Sequence, residues 1–323
     1  MPDWIVLYNP NSRRGASVAR RARPRIESLR PPGTNGVVWI PLAELKDLRA
    51  SPERILAVGG DGTVNAAASW LNERGVACPI GIVPAGTGNN LARGLGLPLD
   101  LEPALELACG PPSVRAVDGV LYAGGSGGEK RLMVQTAALG YPAHIAAKYD
   151  TLRRGALLRT LFKPVGPHVY RLLAFAGLVA QKWRERRGEA LLEVECRMPG
   201  ETLRETVFAV FIGNERSIGG DFHPCPRAEL DDGRIDICLV RAGTGASYLK
   251  VFKAFVRGEH LAIDRTIVYR QTEGPLEIML SEPSELLADG DLWLKDRQFR
   301  FEVLPRRFQI IAKPASKPGD STP

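Results

Sequence analysis

No stretch constrains this chain more than Ile55-Leu56-Ala57-Val58-Gly59-Gly60-Asp61-Gly62-Thr63-Val64-Asn65. An apolar run suited to a buried strand stops at two glycines, and residues 64–71 then follow a helical pattern. A strand that passes through glycines into a helix presents free backbone N–H groups and the positive end of a helix dipole, an arrangement that suits phosphate. A carboxylate at Asp61 would repel phosphate by itself, so it implies a divalent cation or a hydroxyl that must lose its proton. The simpler alternative makes Asp61 the N-cap of a tight turn, although the glycine run is denser than a cap requires. A second unit follows: Pro79-Ile80-Gly81-Ile82-Val83-Pro84 empties into Ala85-Gly86-Thr87-Gly88-Asn89-Asn90 ahead of the helical Leu91-Ala92-Arg93. Two such units place two helix N-termini on one edge of a parallel sheet, where ligands bind. The N-terminal strand, the turn Asn9-Pro10-Asn11-Ser12 and a basic helix over 16–29, with Ser12 as N-cap, repeat the geometry a third time.

The bulk properties narrow the classes. A chain of 323 residues is long enough for two domains with their own cores. The net charge of +7 favours anionic partners, but no basic run interleaved with aromatics points to nucleic acid. Cys78, Cys109, Cys196, Cys225 and Cys238 are dispersed without a disulfide framework, as in a reducing cytosol. His223 with Cys225 and Cys238 matches no zinc spacing. The first residues carry an acid and no cationic stretch, so they predict a strand rather than a signal peptide, and no apolar run is long enough to cross a bilayer. A cytoplasmic protein is expected, and any lipid partner would be reached from the water side.

Along the rest of the chain the pattern predicts a strand at 37–40, short helices at 43–48 and 103–108, and a strand at 114–118 leading out of the first domain. From Gly119 alternating segments at 131–135, 191–196 and 207–212 predict antiparallel strands. The glycine-rich stretch 124–130 lacks phosphate-loop spacing and sits between strands, so it reads as a hairpin loop. Residues 149–187 switch to helical spacing, divided by Pro164 and Pro167 into two strongly basic helices. They either pack on the sheet with solvated charges or lie on an anionic membrane. An acidic turn enters a strand over 228–240, a helix covers 248–256, and Asp289-Gly290-Asp291 sets two carboxylates two residues apart. Residues 299–311 read as a last strand pair, and 313–323 as a disordered tail.

The pair GGDGTVN and PAGTGNNLAR, in this order, resembles the diacylglycerol kinase and sphingosine kinase superfamily, within it the bacterial soluble lipid kinases; NAD kinases and phosphofructokinases share only the first motif. The resemblance runs from Asn9 to about Val303. It implies an α/β nucleotide-binding domain of NAD kinase/phosphofructokinase type at 1–118, onto which 299–323 folds back, and an antiparallel β-sandwich-like lipid-substrate domain at 119–298. The implied activity is transfer of the γ-phosphoryl group of ATP, with Mg2+, to a hydroxyl of a membrane lipid such as diacylglycerol, by a protein peripherally associated with the membrane. Carried over by position, Asn9, Gly59, Gly60, Asp61, Gly62, Thr63, Val64, Asn65, Gly86, Thr87, Gly88 and Asn89 would bind the nucleotide. Asp61, Asp289 and Asp291 would be catalytic, with Asp289 or Asp291 as the base; Asn90 and Asp118 would belong to the catalytic network. The turn at Glu229, Asp232 and Arg234 would hold a structural cation through the Asp232 side chain and main-chain carbonyls, or would be a plain β-turn. The alternative for Asp118 is a surface aspartate at a strand end. The chain departs from the family pattern at Arg13 (usually glycine), Ala66 (commonly glutamate), Asn90 (aspartate) and Asp291 (glutamate). Two other readings stay open: a nucleotide-sensing, membrane-associated binding protein with little turnover, and a NAD-kinase-like enzyme. The acceptor lipid and a homodimeric state are also left open.

Overall fold

The computed structural model describes residues 4–12, 14–30, 32–33, 35–125, 127–154, 192–218, 222–242, 247–263 and 265–313. The basic segment at 155–187 and Arg13 lie outside these residues. The chain forms two compact units. The first comprises Met1–Gly119, Leu230–Asp232 and Leu304–Pro323, and the second Val120–Glu229 and Gly233–Val303.

The first unit is built on parallel strands β1 (Trp4–Tyr8), β2 (Val37–Pro41), β3 (Arg54–Gly59) and β4 (Ile80–Pro84), in the order β2-β1-β3-β4. β3 and β4 are buried along their whole length, as expected of parallel strands covered on both faces. Helices α1 (Gly15–Leu29), α2 (Asp61–Arg74), α3 (Asn90–Gly94) and α4 (Leu101–Cys109) connect them. Ala19, Ala22 and Ile26 of α1 and Leu105 and Ala108 of α4 pack on Val6, Leu56, Val58 and Val83. Register aligns Tyr8 with Val58 and Gly59 with Pro84, so β1, β3 and β4 end at one edge. Arg54 is buried at the start of β3; its guanidinium donates to the Ala108 and Gly110 carbonyls at 2.8 and 3.0 Å, closing the C-terminus of α4. The helix expected at 43–48 is a 3-10 helix, Leu42–Asp47.

β5 (Val114–Gly124) runs into the second unit and forms a hairpin with β6 (Arg131–Met133), so the loop at 124–130 is the hairpin turn that its flanks predict. There follow β7 (Thr136–Gly140), α5 (Tyr141–Arg154), β8 (Leu192–Met198), β9 (Glu201–Gly213), β10 (Ile235–Arg241), α6 (Tyr248–Arg257), β11 (Ile267–Thr272), β12 (Leu276–Ala288) and β13 (Asp291–Ile311). β7 and β8 each pair with both β9 and β12, using different halves of these two long strands. The antiparallel sheet therefore closes on itself around Val194, Cys196, Val210, Ile212, Ile278 and Phe299. The expected architecture, an α/β unit followed by an antiparallel sandwich-like unit, is the one observed. The last strand pair is instead one 21-residue strand, β13, whose first part pairs with β12 and whose Ile310 lies beside Ile80 of β4.

On the other face of β9 and β10, Phe255 of α6 packs against Phe211 and stacks on the fully buried His260 at 3.7 Å between ring centroids. His260 Nε2 donates to the Pro224 carbonyl at 3.1 Å. Burial, with His223 nearby, lowers the His260 pKa to about 4. A folded pKa below the unfolded value contributes stability above about pH 6.5, and that stability is lost as pH falls toward 4. Unfolding in urea at pH 7 and pH 4 should show this group costing roughly 3 kcal/mol at the lower pH, from about 1.4 kcal/mol per pKa unit. His260→Gln should flatten that part of the profile, and an unchanged pH slope in the variant would exclude His260 as its source.

Candidate active site

Two loops leave the common edge of the first unit. After β3, Gly60 caps α2 with extended backbone and its carbonyl accepts the Thr63 N–H at 2.9 Å. After β4, Asn89 takes a left-handed φ of 51°; its Oδ1 accepts the Gly86 N–H at 3.0 Å and its Nδ2 donates to the Gly86 carbonyl at 3.1 Å. The loops touch backbone to backbone: a Cβ on Gly86 would lie 2.5 Å from the Gly60 Cα, and one on Gly60 2.9 Å from the Gly86 Cα. The Ala85 N–H donates to the Gly59 carbonyl at 2.8 Å, extending the ladder past the strand ends.

Asp61 is not an N-cap. It is the first residue of α2, and its Oδ1 accepts the Leu91 N–H of the second loop at 3.2 Å. Its Oδ2 and the Asn90 Oδ1 both flank Gly88, 3.2 and 3.3 Å from where a Cβ there would sit. Asn90 is buried, and its Oδ1 has no hydrogen-bond partner. Gly62 and Thr87 are exposed, and Asn9, Gly60 and Asp61 half-buried. Thr63 and Val64 are buried, so the Val64 side chain serves the core and only its main chain can face a ligand. Asn65 Oδ1 accepts from the Ser69 hydroxyl one turn along α2, at 3.1 Å. In the turn after β1, Asn9 Oδ1 accepts the Asn11 N–H at 3.0 Å, while Ser12 Oγ donates to the Asn9 carbonyl and accepts the Gly15 N–H. Ser12 thus supports the start of α1 from two residues before its cap. Asp118 is fully buried rather than a surface residue. Its Oδ1 accepts the N–H of Arg306, which has a left-handed φ of 50°, at 2.6 Å.

In the second unit Ala288 pairs with Asp291, leaving Asp289-Gly290 as a two-residue turn with φ of 46° and 90°. Positive φ at both central residues is the type I′ hairpin geometry that favours Asp-Gly. The Asp289 carboxylate is committed: Oδ1 accepts the Gln135 and Thr136 N–H groups, each at 3.0 Å, and Oδ2 the Val134 N–H at 2.8 Å. Asp291 is exposed. Beside them, burial and then the Asp289 charge push the Tyr122 pKa up to about 12.

Comparison with known proteins gives this geometry its setting. Residues 3–120 match the family model of the diacylglycerol kinase catalytic domain, and residues 180–312 that of the YegS C-terminal NAD kinase beta sandwich-like domain. A protein of Pseudomonas savastanoi pv. phaseolicola named "Probable lipid kinase YegS-like" is 30% identical over 272 residues, covering 84% of this chain and 79% of that one. The chain belongs to the diacylglycerol kinase/YegS family of lipid kinases. A Mycobacterium tuberculosis protein named diacylglycerol kinase is 28% identical, over 88% of this chain and 87% of its own. The fold is shared with a solved structure from Bacillus anthracis str. Sterne titled as a diacylglycerol kinase, at a TM-score of 0.66 and 17% identity, over 97% of this chain and 98% of that one.

For this lipid kinase the residues present fit a nucleotide and a hard cation. The first-turn N–H groups of α2 suit phosphate, and the Asp61 carboxylate beside an orphaned Asn90 oxygen supplies the oxygen donors that magnesium prefers. The second expected cation site is sparser. Glu229 pairs with Arg216 at 3.8 Å, Arg234 with Glu273 at 3.1 Å and Asp231 with Arg115 at 3.2 Å. No cluster of three or more acidic, His or Cys side chains able to hold a metal occurs among the described residues. A cation at this turn would therefore rest on the Asp232 carboxylate and main-chain carbonyls, with the Glu229 and Arg234 side chains directed elsewhere.

The sequence reading overlooked the amides of Leu91 and of residues 134–136, which position Asp61 and Asp289, and it overlooked Tyr122. Main-chain donors leave no mark in residue identity, whereas the Asp-Gly turn signal was there to be read. Two outcomes follow. Asp289→Asn sets an NH2 group against one of three amide donors and should cost about 2 kcal/mol in urea unfolding, the scale of a lost charged hydrogen bond; Asp291→Asn should cost nothing measurable. If the 229–234 turn holds a divalent cation, chelation should lower the melting temperature of the wild type but not of Asp232→Ala. Equal shifts in the two proteins would place any chelation effect elsewhere.

Proposed function

We propose that this kinase transfers the γ-phosphoryl group of ATP to the hydroxyl of a membrane lipid of the diacylglycerol class. The observation that carries the reading is the pair of interlocked glycine loops, with the Asp61 and Asn90 oxygens converging at Gly88. The loop amides and the N-terminus of α2 take the phosphates, and Thr87 and Asn89 border them. Asp61 and Asn90 would hold magnesium, which would supply charge neutralisation on the phosphates. Phosphoryl transfer asks mainly for positioning and charge neutralisation, so a sparse set of side chains is sufficient. As the lipid oxygen bonds to the γ-phosphorus, the bond from that phosphorus to the β–γ bridging oxygen breaks, and ADP leaves. The hydroxyl proton needs a carboxylate late in the transfer. Asp291 is assigned this role because Asp289 already accepts three amides and is a positioning residue for the turn.

The test is incubation with labelled ATP, magnesium and vesicles containing diacylglycerol, a sphingoid base and other lipid alcohols, with NAD as a soluble competitor. Label should appear in phosphorylated diacylglycerol. Asp61→Asn should leave at most a few per cent of the activity. Asp291→Asn should lower kcat by about 10²–10⁴-fold, the scale of a lost general base, with ATP affinity nearly unchanged. Asp291→Glu should retain or raise turnover. Label on NAD alone, or ATP binding without transfer to any acceptor, would overturn the reading.

A further inference from the structure

Helix α6, with the sequence YLKVFKAFVR, carries no acidic residue. Val251 and Phe255 are buried at 5% and 2% exposure, in a cluster with Phe208, Phe211 and Val240. Leu249, Phe252 and Val256 are instead 46%, 39% and 39% exposed. Spaced at i, i+3 and i+7, they form one stripe along the helix. Three of the seven exposed large hydrophobic residues among those described thus fall in ten residues, whereas scattered single ones would need no explanation. The apolar arc of α6 is wider than the core covers, and its uncovered part runs beside the exposed Lys250, Lys253 and Arg257. Arg257 lies 3.8 Å from Glu259, but both are more than 60% exposed, so the pair is weak and leaves the helix cationic.

We propose that α6 is the surface by which the protein docks on an anionic lipid bilayer. Leu249, Phe252 and Val256 enter the boundary between headgroups and acyl chains, and Lys250, Lys253 and Arg257 lie at the lipid phosphates. The proposal rests on the reading that the acceptor is a membrane lipid, which the enzyme must meet at the bilayer. A half-buried helix with an apolar stripe and adjoining cations is the form that binds in the plane of an interface. Charge selects this occupant over a second copy of the chain, because a two-fold contact through α6 would set its three cations against the same three.

Cosedimentation of the full chain with phosphatidylcholine vesicles, with and without phosphatidylglycerol, tests this. The wild type should bind the anionic vesicles, and added salt should weaken binding. Lys250→Glu with Lys253→Glu should lower the affinity by at least about 30-fold, from roughly 1 kcal/mol per basic residue at an anionic surface. Leu249→Ser with Val256→Ser should weaken binding as well and leave the melting temperature unchanged; Phe252 is kept because it packs on Phe222 at 5.8 Å. An independent readout is an environment-sensitive dye on Leu249→Cys, which should shift to the blue on anionic vesicles. All five native thiols are buried, so the label is selective. Wild-type-like binding by the variants, an unshifted dye, or loss of a dimer with vesicle binding intact would each overturn the proposal. The two readings fail separately. Vesicle binding through α6 without lipid phosphorylation would sink the acceptor assignment alone. Variants that match the wild type on vesicle-embedded diacylglycerol, as they should on a dispersed short-chain one, would sink the docking surface alone.

Discussion

The first unit depends on the contact between Gly60 and Gly86. Two loops can lie with a Cα where a neighbour's Cβ would be only when both positions lack that atom. Any other residue at either position would push the loops apart by more than a packed backbone can absorb. The contact sets the rest of the edge. It brings the Ala85 N–H onto the Gly59 carbonyl, and it puts the start of α3 within reach of Asp61. The Asp61 carboxylate is thereby held by an element other than its own helix. A carboxylate fixed in this way reorganises little when charge arrives beside it, and preorganisation of that kind accounts for much of electrostatic catalysis.

Local strain is handled alike in both units. Among the described residues four non-glycine positions have positive φ: Asn89, Arg265, Asp289 and Arg306. Asn89 and Asp289 use their own side chains to bind nearby main chain, and the Arg306 amide is taken by the buried Asp118. Each left-handed residue of these three is offset by an Asn or Asp hydrogen bond, as such strained positions require.

The glycine loops were legible because glycine is informative when it clusters after an apolar strand. Residue identity said less about what each carboxylate does. Asp289 carried a catalytic expectation by position, yet the Asp-Gly dipeptide between two strands is also the strongest short hairpin signal, and the amides that fill its lone pairs are invisible in sequence. Residues 299–311 read as a strand pair but belong to one strand, β13, which continues through Pro305 although proline cannot donate to a ladder. The closure of β9 and β12 through β7 and β8 joins segments far apart in sequence, which alternation within a strand does not encode. For α6, periodicity gives the width of an apolar arc but not how much of it the core covers. The exposed stripe therefore emerged only with the packing of Val251 and Phe255.

Asn90 shows how one departure from the family pattern changes the electrostatics without removing the donor. The side chain is buried next to Asp61, and its oxygen has no hydrogen-bond partner. A second carboxylate there would place two like charges around Gly88 in a site of reduced dielectric, where their repulsion is larger than in water and each ion also loses hydration. An amide keeps an oxygen at that point, costs less to bury and adds no charge. The trade has a direction. A divalent cation bound there would meet one formal charge instead of two, while the phosphates of a nucleotide would meet less repulsion, which would suit a site whose other phosphate donors are backbone amides.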